Sequence, residues 1–249
     1  MQRPWFHLDA VPEVGGVAIL PRQEARHATG SRRLGPGDQA MLFDGQGTLA
    51  EATIAEDRDS DGNLQMRVKS VRTVAREQPY VELCASLPKG DRLATMLDMC
   101  TQAGMDAFRP LECARSVIKA SAMRSDRSER WGRIFIEACK QSARPWQPKL
   151  AQPLDPVAAA QNALEAGHQV LVAEKGGTPI VEMPKQSTQS TTILVGPEGG
   201  FTQDELGGLG ELGTRFISLG RSIYRIEAAA VVSVATIKMT EESNQRGSG

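Results

Sequence analysis

Two regions of different grain predict a two-part fold: a small all-β barrel or sandwich over residues 1–76, then an α/β domain with a parallel sheet over residues 77–241. The first reading rests on closely spaced glycine-rich turns separated by short alternating runs. The second rests on apolar, β-branched runs that alternate with stretches of helical period. Residues 242–249, "ESNQRGSG", read as a disordered tail.

In the first region "EVGG", "GPGD", "DGQG" and "SDGN" place glycine, often beside Asp or Asn, where tight turns need φ > 0. The runs between them, such as "QAMLF", "LAEATIAE" and "LQMRVKSV", have the length of strands. From Tyr80 onward "YVELCASLP" reads as a strand, "KGDRLATMLDMCTQAG" as an amphipathic helix and "MDAFRPLEC" as a second strand. "SDRSERWGRIFIEACKQSAR" reads as a long helix that Ser125 or Asp126 can cap. "DPVAAAQNALEAG" is a helix opened by Asp155, with Pro156 at its first position, and closed by Gly167. "HQVLVAE", "TTILVG" and "TRFISLG" are strands, and "FTQDELGGLGELG" and "RIEAAAVVSVATIKM" are the helices that follow the last two. Strands apolar on both faces and followed by helices imply a parallel sheet covered on both sides. "PKQSTQSTT" is a surface loop between two of them.

Composition excludes little and bounds a good deal. With 29 basic and 30 acidic residues in 249 the formal net charge is −1, so a nucleic-acid ligand would have to be met by a local basic face. Cys84, Cys100, Cys113 and Cys139 form no CxxC pair and read as buried free thiols of a reducing compartment. His7, His27 and His168 lack metal-ligand spacing, and no metal is expected. The N-terminus lacks the apolar core of a secretion signal and no run is long enough to span a membrane. A cytoplasmic protein is expected.

In open parallel sheets ligands lie beyond the carboxyl ends of the strands. The loops there are "AEKGG", "GPEGGFT" and "GRSIYR". Neither GxGxxG nor GxxxxGK[ST] is present, which argues against a dinucleotide or a nucleoside triphosphate. In "GPEGG", glycines let the main chain approach a ligand closely, while Glu198 would repel a phosphate. The loop therefore suits a neutral or cationic ligand such as an adenosine moiety bearing a sulfonium. The alternative is a turn followed by a helix cap, Thr202 with Glu205, that binds nothing.

"LVGPEGGFTQDE", together with "RHATGSRRLGPGDQAMLFDG", "KGDRLATMLDMCTQAGMDAFRPLECARSV" and "RWGRIFIEACKQSAR", resembles the RsmE family of SPOUT methyltransferases through most of the chain. The resemblance implies a PUA-like barrel, a trefoil-knotted α/β domain that binds S-adenosyl-L-methionine (SAM), a homodimer, and N3-methylation of a uridine in small-subunit (16S) ribosomal RNA. By motif position it implies a cofactor cradle of Val172, Ala173 and Glu174, then Leu194, Val195, Gly196, Pro197, Glu198, Gly199 and Gly200. Its third segment is Leu219, Gly220, Ser222, Ile223, Tyr224 and Arg225. The family pattern LGxRILRTETA is here "LGRSIYRIEAAA": Ser222 stands for an Arg, Tyr224 for a Leu, and Ile226 and Ala228 for threonines.

Methylation at N3 of uracil requires loss of a proton, so a base and an anion-stabilising cation are needed near the methyl donor. Arg225 is the candidate for holding the uracil oxygens, and Glu227 for orienting that Arg or accepting the proton; a plain ion pair at a helix start is the alternative. RNA phosphates are expected at Arg22, Arg26, Arg32 and Arg33 and at Arg115 and Lys119, unless these are only solvated faces. The nearly all-apolar "RIEAAAVVSVATIKM" suits a helix shared between its own sheet and a second subunit. A non-catalytic RNA-binding protein of the same fold, or a methyltransferase with another RNA target, are the competing readings.

Overall fold

The structure, a computed structural model, describes residues 3–26, 28, 30, 34–59, 61, 63–119, 125–183 and 189–247. The chain divides into two compact units, Met1–Arg76 with Ile136–Gln147, and Glu77–Phe135 with Pro148–Gly249.

The first unit is built on β1 (Trp5–His7), β2 (Val17–Ile19), the short helix α1 (Arg22–Arg26), β3 (Gln39–Phe43), β4 (Thr48–Arg58) and β5 (Leu64–Thr73). The sheet order is β1-β3-β4-β5-β2, antiparallel except for the β1–β3 pair. Period-two alternation sends Ala40, Leu42, Ala50, Ala52, Ile54, Met66 and Val68 to one face, where they form a core with Phe6 and Leu20. The opposite face carries Met41, Phe43 and Leu49, which pack with Cys139. The segment from Ile136 is integral here: Lys140 Nζ donates to Glu24 at 2.8 Å, and Trp146 Nε1 donates to the Val74 carbonyl at 2.9 Å.

The second unit contains β6 (Val81–Ala85), α2 (Arg92–Gln102), β7 (Ala107–Pro110), α3 (Ser125–Ser142, its later part in the first unit), β8 (Lys149–Leu150) and α4 (Pro156–Glu165). It continues through β9 (Gln169–Pro179), β10 (Thr191–Val195), α5 (Gln203–Glu211), β11 (Arg215–Ser218) and α6 (Ile226–Gly247). Its six strands are all parallel, in the order β11-β9-β10-β6-β7-β8. This is the parallel-sheet α/β domain preceded by a small β unit that the sequence predicts. The strand β8 is only two residues long and lies at the sheet edge, too short for a periodicity to announce it. The final helix runs to Gly247, beyond the point where a tail was expected; residues 248 and 249 lie outside the described ones.

The strand order explains how the domain makes a site. The chain lays β9 two strand positions from β6, and β10 then fills the gap between them. All five residues of β10 are buried. Ile193 and Val195 face a core with Leu83, Leu97, Phe108, Phe135 and Val234, whereas Leu194 faces Val172, Ala160 and Leu209 on the other side. Burying each large aliphatic side chain contributes about 1.5–3 kcal/mol, so the central strand is fixed and the loops at its ends are held in place. Outside β9, β11 approaches so closely that a Cβ on Gly177 would lie 2.5 Å from main-chain atoms of Phe216 and Ile217. Only glycine fits that contact.

Candidate active site

Ala173, Val195 and Ala85 are register partners on β9, β10 and β6, so β10 and β6 end level with each other beside the middle of β9, which runs on to Pro179. There β9 continues as strand through "AEKGG", where the sequence predicts a loop, because β11 pairs along it as far as Pro179. The middle of β9 and the loops that follow β10 and β11 converge on one pocket. Its walls are Ala173, Glu174 and Lys175 from the first, Val195 to Glu198 with Gly200 and Phe201 from the second, and Ser218 to Gly220 with Ser222, Ile223 and Tyr224 from the third. Ile226 and Ala229 of α6 complete it.

Local chemistry shapes the middle loop. Gly200 sits at φ +68° and its N–H donates to the Pro197 carbonyl at 2.8 Å, a turn that suits glycine. Thr202 then caps α5: its hydroxyl accepts from Glu205 N, and Glu205 Oε2 accepts from Thr202 N at 2.7 Å. The cap is real and coexists with the pocket. Glu205 also ties the loop to the segment after β7, because Oε1 accepts from Ala114 N at 2.7 Å. Arg115 does the same from the other direction, donating from Nη1 to the carbonyls of Gly199 at 2.7 Å and Phe201 at 3.3 Å. Its guanidinium, expected on RNA, is here engaged by the loop.

Two carboxylates, Glu174 and Glu198, stand on the wall. Beside them Arg92, at the start of α2, places Nη2 3.6 Å from Glu198 Oε1 and Nη1 3.6 Å from Glu227 Oε2. Glu227 therefore pairs with Arg92, where Arg225 was the expected partner. Arg225 itself is exposed at the end of the third loop. Glu174, Glu198 and Glu227 against Lys175 and Arg92 leave one negative charge in excess, suited to a cationic ligand and not to a phosphate.

Val172 and Leu194 are buried beneath the pocket in the core between the sheet and α4 and α5, and Gly199 lies against Arg115. Arg22 and Arg26 are exposed on α1, Lys119 Nζ donates to the Cys113 carbonyl at 3.2 Å, and Arg32 and Arg33 lie outside the described residues. Lys175, Phe201, Ser218, Ile226, Ala229 and Arg92 were not foreseen. A signal existed for Arg92: a cation in the first turn of a helix opposes the helix dipole and asks for a reason.

The four cysteines are buried and free. Burial pushes the Cys113 thiol up to about 11 and Cys139 up to about 12, and raises Cys84 and Cys100 as well. They stay protonated and are poor nucleophiles. Among the described residues no group of three or more His, Cys, Asp or Glu is placed to hold a metal, and no helix is long and apolar enough to cross a membrane.

Comparison with known proteins decides the family. Residues 76–238 match the model of an RNA methyltransferase domain, and residues 20–60 match that of an RNA methyltransferase PUA domain. The ribosomal RNA small subunit methyltransferase E of Mycobacterium tuberculosis is 33% identical over 237 residues, covering 93% of this chain and 90% of that protein. The chain belongs to the RsmE family. The RsmE protein of Synechocystis is likewise 33% identical, over 96% of this chain and 78% of its own length. Among solved structures, an RsmE protein from Neisseria gonorrhoeae bound to S-adenosyl methionine matches 96% of this chain and 98% of its own, with 25% identity and a TM-score of 0.83.

Proposed function

We propose that the protein is a SAM-dependent methyltransferase that modifies N3 of a uracil in small-subunit (16S) ribosomal RNA, in the cytoplasm and as a homodimer. The observation that carries this is a carboxylate-bearing pocket formed by the middle of β9 and the loops after β10 and β11 in a chain of the RsmE family.

The residues present fit SAM. The glycines of the second and third loops leave main chain accessible, Val195, Leu219, Ile226 and Ala229 offer apolar wall, and Glu174 and Glu198 complement positive charge. SAM supplies a methyl group made electrophilic by its sulfonium. Ala173, Glu174, the segment Val195–Gly200 and the segment Leu219–Tyr224 hold it, while Val172, Leu194 and Gly199 set the loops from beneath and beside. Glu227 takes the N3 proton, and Arg225, exposed at the mouth of the site, meets the uracil oxygens. Arg22, Arg26, Arg32, Arg33 and Lys119 meet RNA phosphates, whose contacts position without reading sequence. Ile223 is 84% exposed and Tyr224 and Met239 are exposed too, apolar surface that a second subunit would cover.

The decisive experiment incubates the protein with labelled SAM and undermethylated small ribosomal subunits and maps the modified base. Label at one uracil N3 is expected. Absence of label, with SAM bound, would favour a non-catalytic RNA-binding protein, and label on another base would reassign the target.

A further inference from the structure

We propose that Arg92 and Glu227 together read the imide edge of the target uracil, Glu227 Oε2 facing the N3–H and an Arg92 amino group donating to a carbonyl oxygen beside it. This rests on the reading above and adds a residue, Arg92, that no motif assigns.

Arg92 opens α2, where the helix dipole disfavours a cation; Asp91 precedes it at the N-cap without a side-chain capping bond, and the first turn itself holds no acidic residue. Its position is explained by what it joins. Nε donates to the Lys89 carbonyl at 3.2 Å, while the two terminal nitrogens face Glu198 of the pocket wall and Glu227 of α6, each at 3.6 Å. Those distances are ion pairs, too long for hydrogen bonds, so the guanidinium keeps N–H groups for a further acceptor. Glu227 is only 18% exposed in its side chain, and its Oε2 is buried and accepts no hydrogen bond. A buried acceptor in that state awaits a donor.

An unsatisfied carboxylate oxygen beside unsatisfied guanidinium N–H groups is the complement of uracil at N3, where one N–H lies between two carbonyls. Cytosine carries no proton at N3, and its lone pair would face Glu227 Oε2. The pair therefore selects the base as well as activating it. Glu227 Oε2 forms an O–H bond as the N3–H bond breaks, and the bonding electrons remain on N3 as an in-plane lone pair, while the out-of-plane pair of N3 spreads the added negative charge onto the two carbonyl oxygens. Arg92 donates to one of these; the other remains for Arg225. The N3 lone pair then forms the N–C bond to the donor methyl, the C–S pair returns to sulfur, and the carboxylic acid of Glu227 releases its proton to solvent. The lone pair occupies the direction of the former N–H bond, so the carboxylic acid of Glu227 withdraws from N3 before the methyl carbon takes its place.

The test uses the full chain with Arg92→Gln and Arg92→Lys, undermethylated small ribosomal subunits, and S-adenosylhomocysteine binding by calorimetry as a separate readout. Arg92→Gln is expected to slow methyl transfer about 10²–10³-fold, the usual effect of removing one donor to a developing oxyanion, with affinity for S-adenosylhomocysteine held within about threefold. Arg92→Lys should recover part of the rate, since it keeps the charge but not the fork. Subunits bearing 2-thiouridine or 4-thiouridine at the target give the second measurement, because sulfur is a weak acceptor. The native protein should lose rate with both, and Arg92→Gln should show little additional loss with one of them. A native rate in Arg92→Gln would overturn the proposal, as would an undiminished thio penalty. Parallel loss of rate and of S-adenosylhomocysteine affinity would make Arg92 a brace of the cofactor pocket and would also overturn it. Failure of the native protein to bind S-adenosylhomocysteine would overturn the functional reading itself, an outcome visible before any variant is made.

Discussion

The two ends of the parallel sheet are built to opposite standards. At the amino ends of its strands, Asp106 is 1% exposed and fully engaged: Oδ2 accepts from Lys238 Nζ at 2.9 Å and from Val81 N at 3.0 Å, and Lys238 also donates to the Pro79 carbonyl. At the carboxyl ends, Arg92 stands 3.6 Å from each of two carboxylates and Glu227 Oε2 has no hydrogen bond. The same helix, α6, carries Lys238 at the first end and Glu227 at the second. Closed polar pairs stabilise a fold, whereas open ones cost stability and persist where a ligand completes them. The contrast separates scaffold from site within one domain.

The largest expected effect breaks the open end. Glu227→Gln keeps the shape but cannot take a proton, and should lower methyl transfer to ribosomal subunits roughly a thousandfold, about 4 kcal/mol, with the melting temperature little changed. A rate within tenfold of native would remove Glu227 from the chemistry. At the closed end the expectation is reversed. Asp106→Ala strands the Lys238 ammonium and the Val81 N–H, and breaking a buried pair costs about 3–5 kcal/mol. Thermal unfolding of a unit of this size should move down by roughly 6–20 °C, while the rate per folded molecule stays native. Unaltered melting would show that the amino end is no firmer than the other.

How much of this was legible in the sequence follows from the range of the contacts. The parallel sheet was legible, because "TTILVG" and "HQVLVAE" are apolar on both faces, and so was the Thr202–Glu205 cap, a contact three residues long. The pocket loops were legible in outline, through the glycines around Glu198 and the resemblance to RsmE. Long-range pairing was not. Arg92 meets Glu227 at a separation of 135 positions in chain order, Trp146 returns to Val74, and Arg115 turns to Gly199. A charge run such as that around Arg115 states that cations are present; only the fold decides whether each faces a phosphate or a carbonyl.

Arg115 provides the third and smaller effect, and sharpens the comparison by asking how firmly the open end is braced. Arg115→Ala removes its hydrogen bonds to the carbonyls of Gly199 and Phe201. The bonds are charge-assisted but exposed, so the loss is put at about 1 kcal/mol, or roughly fivefold in S-adenosylhomocysteine affinity by calorimetry. If affinity is unchanged and only RNA binding weakens, Arg115 belongs to the RNA face after all.

The smallest effect lies at the closed end and depends on pH. His168 precedes β9 and places Nδ1 2.8 Å from the Thr192 hydroxyl, which in turn donates to Glu82 Oε2 at 3.3 Å. With its hydrogen committed to Glu82, that hydroxyl accepts, so His168 donates from Nδ1 and its neutral form already satisfies the chain of bonds. Burial lowers the His168 pKa, with Glu82 opposing the shift. In the unfolded chain the imidazole titrates near pH ~6.5. As pH falls through that value and then through the lower folded one, the unfolded state takes up a proton that the folded state resists, so stability declines across that window and is retained in full above it. His168→Asn can still donate to Thr192 but does not titrate. The difference in urea midpoint between native protein and this variant should therefore shift against the native protein between pH 7.5 and pH 5. A constant difference would mean that the imidazole is hydrated well enough to protonate freely, and that even the firmer end of the sheet yields to solvent at its rim.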